Sequence, residues 1–380
     1  MKNYERIFKL QNKTFKILTN NTMGIKGLKK FLTSSYPDLV QQIHISSFSE
    51  KKISVDFSSY IYKYKVCQGE NWLRSVFLFL CCLKKNNIHG VFVLDGIPPP
   101  EKKNEKEKRK KQHNDSEENM FLLSLDVEEY KQSGTVSELL KETYQKIKPL
   151  SSSSEKVHRL LHPTKEEFNV ELVENYIAKK ESQLVNITKE DLEDIKKMVK
   201  MCGGTIVQAP GEAEAFGAYL CSLKICDAMI SEDSDTLAYG TNVWISNLNV
   251  SSGICTCIEL SSVLSKIQLS SSSFLDFCIM CGTDYNHNIP KVGPKNALKH
   301  LYACCSLEEI EKKMDTSILC YPVSRELFLT FGRMKKVPLD ISFWDSNVDV
   351  EALCLFLKNY GIFFSVQTLH DIFSPVLVFE

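Results

Sequence analysis

The residues with the most chemical potential in this sequence are acids that follow apolar runs. In "AMISEDSDTL" the apolar Ala228, Met229 and Ile230 precede Glu232, Asp233 and Asp235, three carboxyls within four positions. "KISVD" ends on Asp56 and "VFVLD" on Asp95, "APGEAEA" supplies Glu212 and Glu214, and "CGTDYN" supplies Asp284. If these segments share one edge, their charges repel: a like pair about 4 Å apart costs about 4 kcal/mol at an effective dielectric of about 20. Hard divalent cations relieve that repulsion, and Mg2+ takes one or two carboxylates together with waters and phosphate oxygens. Two such ions about 4 Å apart clamp the attacking and leaving oxygens of a phosphodiester displacement. The chemistry expected is two-metal hydrolysis at Asp56, Asp95, Glu212, Glu214, Asp233, Asp235 and Asp284. Singly, each acid has a plainer use. An Asp after a strand caps a helix or makes a turn, glutamates favour a helix start, and Asp-x-Asp also occurs in calcium loops and sugar transferases.

Elements that would bring these acids together are legible. "KISVDFSSYIYKY" reads as a short strand reaching Asp56 and then a helix carrying Tyr60, Tyr62 and Tyr64. "NWLRSVFLFLCCLKKNNIHG" reads as a buried helix ending near Gly90, and "VFVLDG" as a second buried strand. Strand, helix, strand makes a parallel pair, and parallel sheets bind ligands at the carboxyl ends of their strands. "TIVQAPGEAEAFGAYL" gives strand, turn and helix. Both glutamates must sit near the helix start, because two residues on a regular helix diverge by roughly 200°. Asp233 and Asp235 are expected in extended backbone, where residues i and i+2 face one side. "VWISNL" and "ICTCIEL" look like a hairpin, "SSSSFLDFCIMCGTDYNHNIPKVGPKNALKHL" like helix, loop and helix, and the carboxyl-terminal stretch is mostly helical in pattern. No internal repeat is apparent.

The composition is that of an ordinary globular chain of 380 residues, 43% apolar and 25% charged. Lys+Arg and Asp+Glu balance at 47 each, so attraction to nucleic acid must come from local asymmetry. That asymmetry lies in "EKKNEKEKRKKQ", whose plainer reading is a solvated helix face or a nuclear localisation signal. Cys278 and Cys281 form a Cys-x-x-Cys inside an apolar run with no second pair at zinc spacing, so buried free thiols in a reducing compartment are expected. The longest apolar block, "SVFLFLCCL", is about half a bilayer span, and no signal peptide opens the chain, so the expectation is an intracellular protein without a membrane partner.

Taken in order, "MGIKGLKKFL", "ISVDFSSYIY", "FVLDGIPPPEKK", "APGEAEAFGAYL", "ISEDSDTLAYG" and "FCIMCGTDYNHNIPKVGPKNALKHL" resemble the conserved blocks of the flap endonuclease and xeroderma-G type (XPG/RAD2-like) structure-specific 5′ nucleases. The resemblance spans residues 23 to 111 and 200 to 302, and "FWDSNVDVEALCLFLKNYGI" more loosely. It implies an α/β fold with a mostly parallel central sheet flanked by helices, a PIN-like nuclease core with a helical arch and a helix-two-turn-helix. The expected organisation is one catalytic domain. Residues 1–22 are an extension or precede a true start at Met23, 23–111 are the N-terminal nuclease region with the basic arch, and 112–199 a variable insertion. Residues 200–305 are the internal nuclease region, and 306–380 a helical end.

The same resemblance distributes roles. Asp56, Asp95, Glu212 and Glu214 match the acids around a first Mg2+, and Asp233, Asp235 and Asp284 those around a second, with Mn2+ as a substitute. Lys102 and Arg109, seven apart and so on one face of a helix, match the cations that reach the scissile phosphate, where positive charge stabilises the charge that develops. Tyr62 matches an aromatic that stacks on a base, worth about 1–3 kcal/mol; its plainer alternative is a core tyrosine like its neighbours. Gly293 and Lys295 fall where duplex backbone is gripped, with K+ as a companion ion.

Three features depart from the family pattern. Lys291 stands where glycine is usual, which weakens the expected grip. A leader before "MGI" would have to be threaded aside, removed or never made. His370 replaces the aliphatic residue of a sliding-clamp peptide, so clamp recruitment is not expected. The implied activity is Mg2+-dependent cleavage of DNA phosphodiesters at 5′ flaps, nicks, bubbles or branched junctions, with 5′ exonuclease activity, in repair, replication or recombination. It would be carried out by a monomer in the nucleus (the host nucleus for a viral source) or the cytoplasm. A non-catalytic junction-binding module and a Mg2+ phosphatase are the rival readings.

Overall fold

The computed structural model describes residues 24–147, 168–181, 184–330 and 347–373, the side chains of 104–106 excepted. The expectations placed on residues 1–23, on positions 148–167 and 182–183 of the insertion, on the start of "FWDSNVD" and on the last seven residues lie outside them. The described residues divide into two compact units, one formed by residues up to Glu105 and from Ile187 onward, the other by Lys106–Asn186.

The first unit is built on a seven-stranded sheet. Its strands are β1 (Gln41–His44), β2 (Lys52–Asp56), β3 (His89–Leu94), β4 (Thr205–Gln208), β5 (Ala228–Ile230), β6 (Val243–Ser246) and β7 (Ile254–Glu259), in spatial order β1-β7-β6-β5-β2-β3-β4. The five strands β4, β3, β2, β5 and β6 run parallel, while β7 and β1 close the far edge antiparallel. The mostly parallel α/β architecture and the β6–β7 hairpin read from the sequence are thus present. The chain winds outward from β2 through β3 to β4, then returns to the other side of β2 with β5 and β6. That reversal makes β2 and β5 the switch point, where the crevice beyond the carboxyl ends is widest and ligands bind.

The central strands are continuous apolar runs because helices cover both faces. On one face Ile53, Val55, Phe92 and Ile230 pack with the helices Phe57–Gln68, Trp72–Lys85, Lys189–Met201, Val350–Asn359 and Val366–Phe373. On the other, Val91 and Val93 meet Phe216 and Leu220 of the helix Ala213–Ser222. Trp244 and Ile258 meet the helices Leu28–Ser35, Leu260–Ile267, Ser271–Cys281 and Pro294–Cys304. Gly217 sets how close the helix Ala213–Ser222 lies: a Cβ there would stand 2.9 Å from the Met229 sulfur and 3.2 Å from Ser54 Oγ. The helix carrying the two glutamates therefore rests directly on β2 and β5.

The buried helix expected to end near Gly90 ends at Lys85 instead. Asn87 turns the chain in the left-handed region, φ 54°, and Gly90 already belongs to β3. Asparagine tolerates that conformation, so the stop signal was the Asn-Asn pair and not the glycine.

The second unit contains most of the helix Lys103–Ser133, together with Glu138–Ile147 and Val170–Glu181. It has its own small core, in which Met120, Leu123, Val127, Leu140, Val173 and Ile177 are buried. The stretch read as a variable insertion thus holds apolar residues at helical spacing, diluted by charged neighbours on a long, mostly solvated helix. That helix runs continuously through position 111. Among the described residues no helix is long and apolar enough to cross a membrane.

Candidate metal centre and nucleic-acid interface

The acids occupy the carboxyl edge of the sheet at its switch point. Asp56 is the last residue of β2 and also the N-cap of the helix Phe57–Gln68, its Oδ1 accepting from the Ser59 amide at 3.3 Å. Asp95 follows β3, and its Oδ1 accepts from the Ala213 amide at 2.8 Å, which ties it to the start of the helix Ala213–Ser222. Glu212 is the N-cap of that helix and Glu214 lies in its first turn, so the two glutamates diverge little, as their spacing required. Asp233 and Asp235 follow β5, and Asp284 follows the helix Ser271–Cys281.

Asp233 and Asp235 are not in extended backbone. The strand ends at Ile230 and Asp235 opens the short helix Asp235–Ala238. The Asp235 amide donates to Asp233 Oδ1 at 2.8 Å; that bond turns the chain and brings the two carboxyls together by a route other than strand alternation. Gly24, φ 77°, presses against this turn, since a Cβ there would overlap Asp233 Oδ1. The Lys26 amide donates to the Gly282 carbonyl at 2.9 Å. "GIKGL" is thus a strap between the acidic turn and the loop before Asp284.

Electrically the acids form one group. Burial, then Asp95, pushes Asp56 up to about 7. Burial, then Asp284, pushes Asp233 up to about 6. Burial, then Asp233 and Asp284, raises Asp235 well above the usual carboxylate range. Glu214 is likewise raised, by burial first and then by Glu212, Asp56 and Asp233 against the opposing pull of Lys102.

A single ammonium meets this charge. Lys102 Nζ pairs with Glu212, lies 3.0 Å from Asp284 and 3.7 Å from Glu214, and is largely buried. Burial alone would strip its proton, but Glu214, Glu212 and Asp284 outweigh it and hold the ammonium above the ordinary lysine range. Lys102 closes the 3₁₀ turn Pro100–Lys102 that the prolines induce, and Arg109 lies on the helix that follows. They do not share one regular helix, so the two-turn spacing does not place them on one face. Arg109 is exposed, in the second unit.

Among the described residues no three His, Cys, Asp or Glu side chains converge tightly enough to hold a metal ion as they stand. Three of the acids, Glu212, Glu214 and Asp284, face the Lys102 ammonium instead. The donor set is oxygen only, as hard divalent ions require. Asp235 Oδ1 is buried without a hydrogen-bond partner, a costly state unless a cation completes it. On both counts the residues fit Mg2+.

Several contributors lay outside the sequence reading. Tyr285 donates its hydroxyl to Glu212, and Tyr239 bonds Tyr285 in turn. Glu232, the acid of "SEDSD" with no role in the expected metal seats, is buried and points elsewhere. It accepts from Lys63 Nζ at 2.6 Å, from Tyr60 OH at 3.1 Å and from the Asn247 amide at 3.3 Å. Burial opposes its ionisation, yet Lys63 and Lys29 bring its pKa down to about 2. Ser231 bonds Asp56 and the Asp233 amide. The available signals were the serine between strand and acids and the tyrosine next to Asp284.

Of the three tyrosines, Tyr60 and Tyr64 are core residues and Tyr62 is 45% exposed, so the core alternative does not hold for it. The helices Ser271–Cys281 and Pro294–Cys304 with the intervening loop have the helix-loop-helix form expected, with Gly293 as N-cap and Lys295 exposed in the first turn of the second helix. Gly293 has an ordinary φ of −102° and no atom within 4 Å of where a Cβ would lie. Nothing inside the protein demands glycine there, and the space beside it is open. Lys291 has φ 64°, which gives a backbone reason for glycine at that position. The fourteen cysteines, Cys278 and Cys281 included, are free thiols.

The family models for the XPG N-terminal domain and the XPG I-region match residues 23–116 and 203–284. The probable RAD2-like endonuclease 369L of Invertebrate iridescent virus 6 is 33% identical over 318 residues, 77% of this chain and 74% of the viral protein. The probable RAD2-like endonuclease 076L of Invertebrate iridescent virus 3 is 33% identical over 336 residues, 83% of this chain and 86% of its own. Among solved structures, the catalytic core of Rad2 in complex with DNA substrate superposes with a TM-score of 0.61 at 15% identity, covering 92% of this chain and 99% of that one. At that identity the likeness speaks to the fold.

Proposed function

Because the chain belongs to the XPG/RAD2 flap endonuclease family of nucleases, we propose that it is a Mg2+-dependent, structure-specific 5′ endonuclease that cuts DNA where single and double strands meet. The observation that carries this reading is the Lys102 ammonium paired with Glu212, Glu214 and Asp284 at the switch-point edge, where burial and neighbouring carboxylates raise Asp56, Asp233 and Asp235. Asp56, Asp95, Glu212 and Glu214 would hold one Mg2+ and Asp233, Asp235 and Asp284 a second. When bound, such a pair supplies an activated water and neutralises charge on the attacking and leaving oxygens.

The chain's own residues have separate tasks. Lys102 stands in the acidic pocket and would turn its ammonium to a non-bridging phosphate oxygen, where positive charge counts most as negative charge develops. Arg109 would add a second cation on the phosphate. Tyr62, with its ring reaching solvent, would stack on a base beside the cut. The start of the helix Pro294–Cys304, beside Gly293 and Lys295, would hold duplex phosphates through the positive end of the helix.

The test is incubation of the purified chain with end-labelled 5′ flap, nicked, bubble and four-way DNA, in Mg2+, Mn2+ or EDTA. Mg2+-dependent product near the junction on the strand with the 5′ end is expected. Binding of the same substrates with no product in either metal would overturn the reading in favour of a binding module.

A further inference from the structure

We propose that Ser231 is a positioning residue whose single hydroxyl couples the two halves of the acidic site. The inference rests on the function proposed above and names a residue that sets its geometry.

Ser231 is fully buried in the step between β5 and the acidic turn. Its Oγ donates to Asp56 Oδ2 at 2.9 Å and accepts from the Asp233 amide at 3.0 Å. A hydroxyl has one proton to give and lone pairs to receive, and here each is used on a different acid. Asp56 belongs to the group assigned to one cation and Asp233 to the group assigned to the other. Lys102 also spans the two groups, through Glu212 and Asp284, but as a cation; Ser231 joins them through a neutral hydroxyl.

The serine is itself held fast. Its carbonyl accepts from Trp244 Nε1 at 2.8 Å and its amide donates to Ile245 at 3.0 Å, which fix it to β6. The next residue, Glu232, is clamped by Lys63 and Tyr60 on the helix Phe57–Gln68, the helix that Asp56 caps. Movement of the Asp56 carboxylate away from Asp233 would have to break the serine bridge, and movement of the turn would have to break the Glu232 clamp. Groups that hold ligating carboxylates in this way typically change metal affinity or activity by about 10- to 100-fold when removed.

The experiment compares the full chain with Ser231→Ala and Ser231→Thr. Ca2+ is titrated into DNA-free protein and read by thermal shift, and Mg2+-dependent single-turnover cleavage of a 5′ flap is measured beside DNA affinity. For Ser231→Ala the Ca2+ midpoint rises and the cleavage rate falls by about 10- to 100-fold with DNA affinity unchanged, while Ser231→Thr, which keeps the hydroxyl, recovers most of both. An alanine variant that matches the parent in Ca2+ midpoint and rate overturns the inference alone. Loss of DNA affinity in proportion to rate, or equal losses in alanine and threonine, overturns it as well. A parent that neither binds Ca2+ nor cleaves overturns the proposed function and this inference together. Should Ser231→Ala not fold, Ser231→Cys takes its place with the same expected readings. Failure of both to fold beside a folded Ser231→Thr makes the serine a folding residue and overturns the positioning role.

Discussion

Replacing Lys102 by methionine separates two things the ammonium does. In the DNA-free protein it is the cation nearest to Glu212, Glu214 and Asp284, at 3.0 Å from Asp284 and 3.7 Å from Glu214. At an effective dielectric of about 20 each of these contacts is worth about 5 kcal/mol before desolvation. Removing one partner of a buried ion pair typically costs about 3–5 kcal/mol net. The metal-free variant should therefore melt roughly 5–10 °C below the parent, less at acid pH, where the raised carboxyls take up protons. The same deletion vacates the centre of the acidic pocket, so the Ca2+ midpoint in a thermal-shift titration should fall by about tenfold or more, one decade for each 1.4 kcal/mol of competition removed. Single-turnover cleavage in saturating Mg2+ should nonetheless fall by about 100- to 1000-fold, because the phosphate loses a charge partner. Tighter cation binding with slower chemistry is a combination that general misfolding does not give. Weaker Ca2+ binding by Lys102→Met would refute the idea that the ammonium occupies the cation seat, and an unchanged rate would refute its role on the phosphate.

Three further outcomes follow from the same geometry. Asp56 and Asp233, raised to about 7 and about 6, bind protons in the folded state that the unfolded chain has released, so the metal-free protein should lose stability as pH rises from about 4 through 7. Metal titrations at pH 6 and pH 8 should accordingly show the larger cation-induced Tm gain at pH 8. Lys63→Met leaves Glu232 buried beside Tyr60 without its ammonium and should cost about 3–5 kcal/mol in denaturant unfolding, whereas replacing Glu232 by leucine at the same time should recover much of that; equal losses would show that the pair is not coupled. Lys291→Gly relieves a left-handed backbone, φ 64°, and should stabilise by about 0.5–1 kcal/mol after the entropic cost of glycine; destabilisation would mean that the lysine side chain makes a contact worth more than that strain.

The distribution of what could be read in advance has a physical basis. Asp56 and Asp95 were legible because apolar runs of strand length end on them, and a parallel sheet sends all such ends to one edge. Glu212 and Glu214 were legible because only a helix start keeps residues i and i+2 together. Asp233 and Asp235 were expected in extended backbone, but Asp235 opens a short helix. The turn-forming bond from the Asp235 amide to the Asp233 carboxylate competes with strand continuation, and alternation rules do not register it. The insertion of Lys102 among the acids joins residues more than a hundred positions apart, so no local pattern could give it. For the same reason Ser231 and Tyr285 stayed hidden: they bond Asp56 and Glu212, acids supplied by distant segments. The core of the unit Lys106–Asn186 was masked by composition: six buried apolar residues scattered in a charged stretch look like solvated helix.

On the proposed function, seven distant carboxylates make one seat for divalent cations at the β2–β5 switch point. Anomalous diffraction from crystals of the full chain grown with Mn2+ and a 5′-flap DNA tests it most directly. Two manganese peaks bounded by Asp56, Asp95, Glu212, Glu214, Asp233, Asp235 and Asp284, with the Lys102 ammonium withdrawn toward the phosphate, are the expected result. Manganese bound elsewhere, with Lys102 still paired to Glu212 and Asp284 beside the bound DNA, would contradict the account.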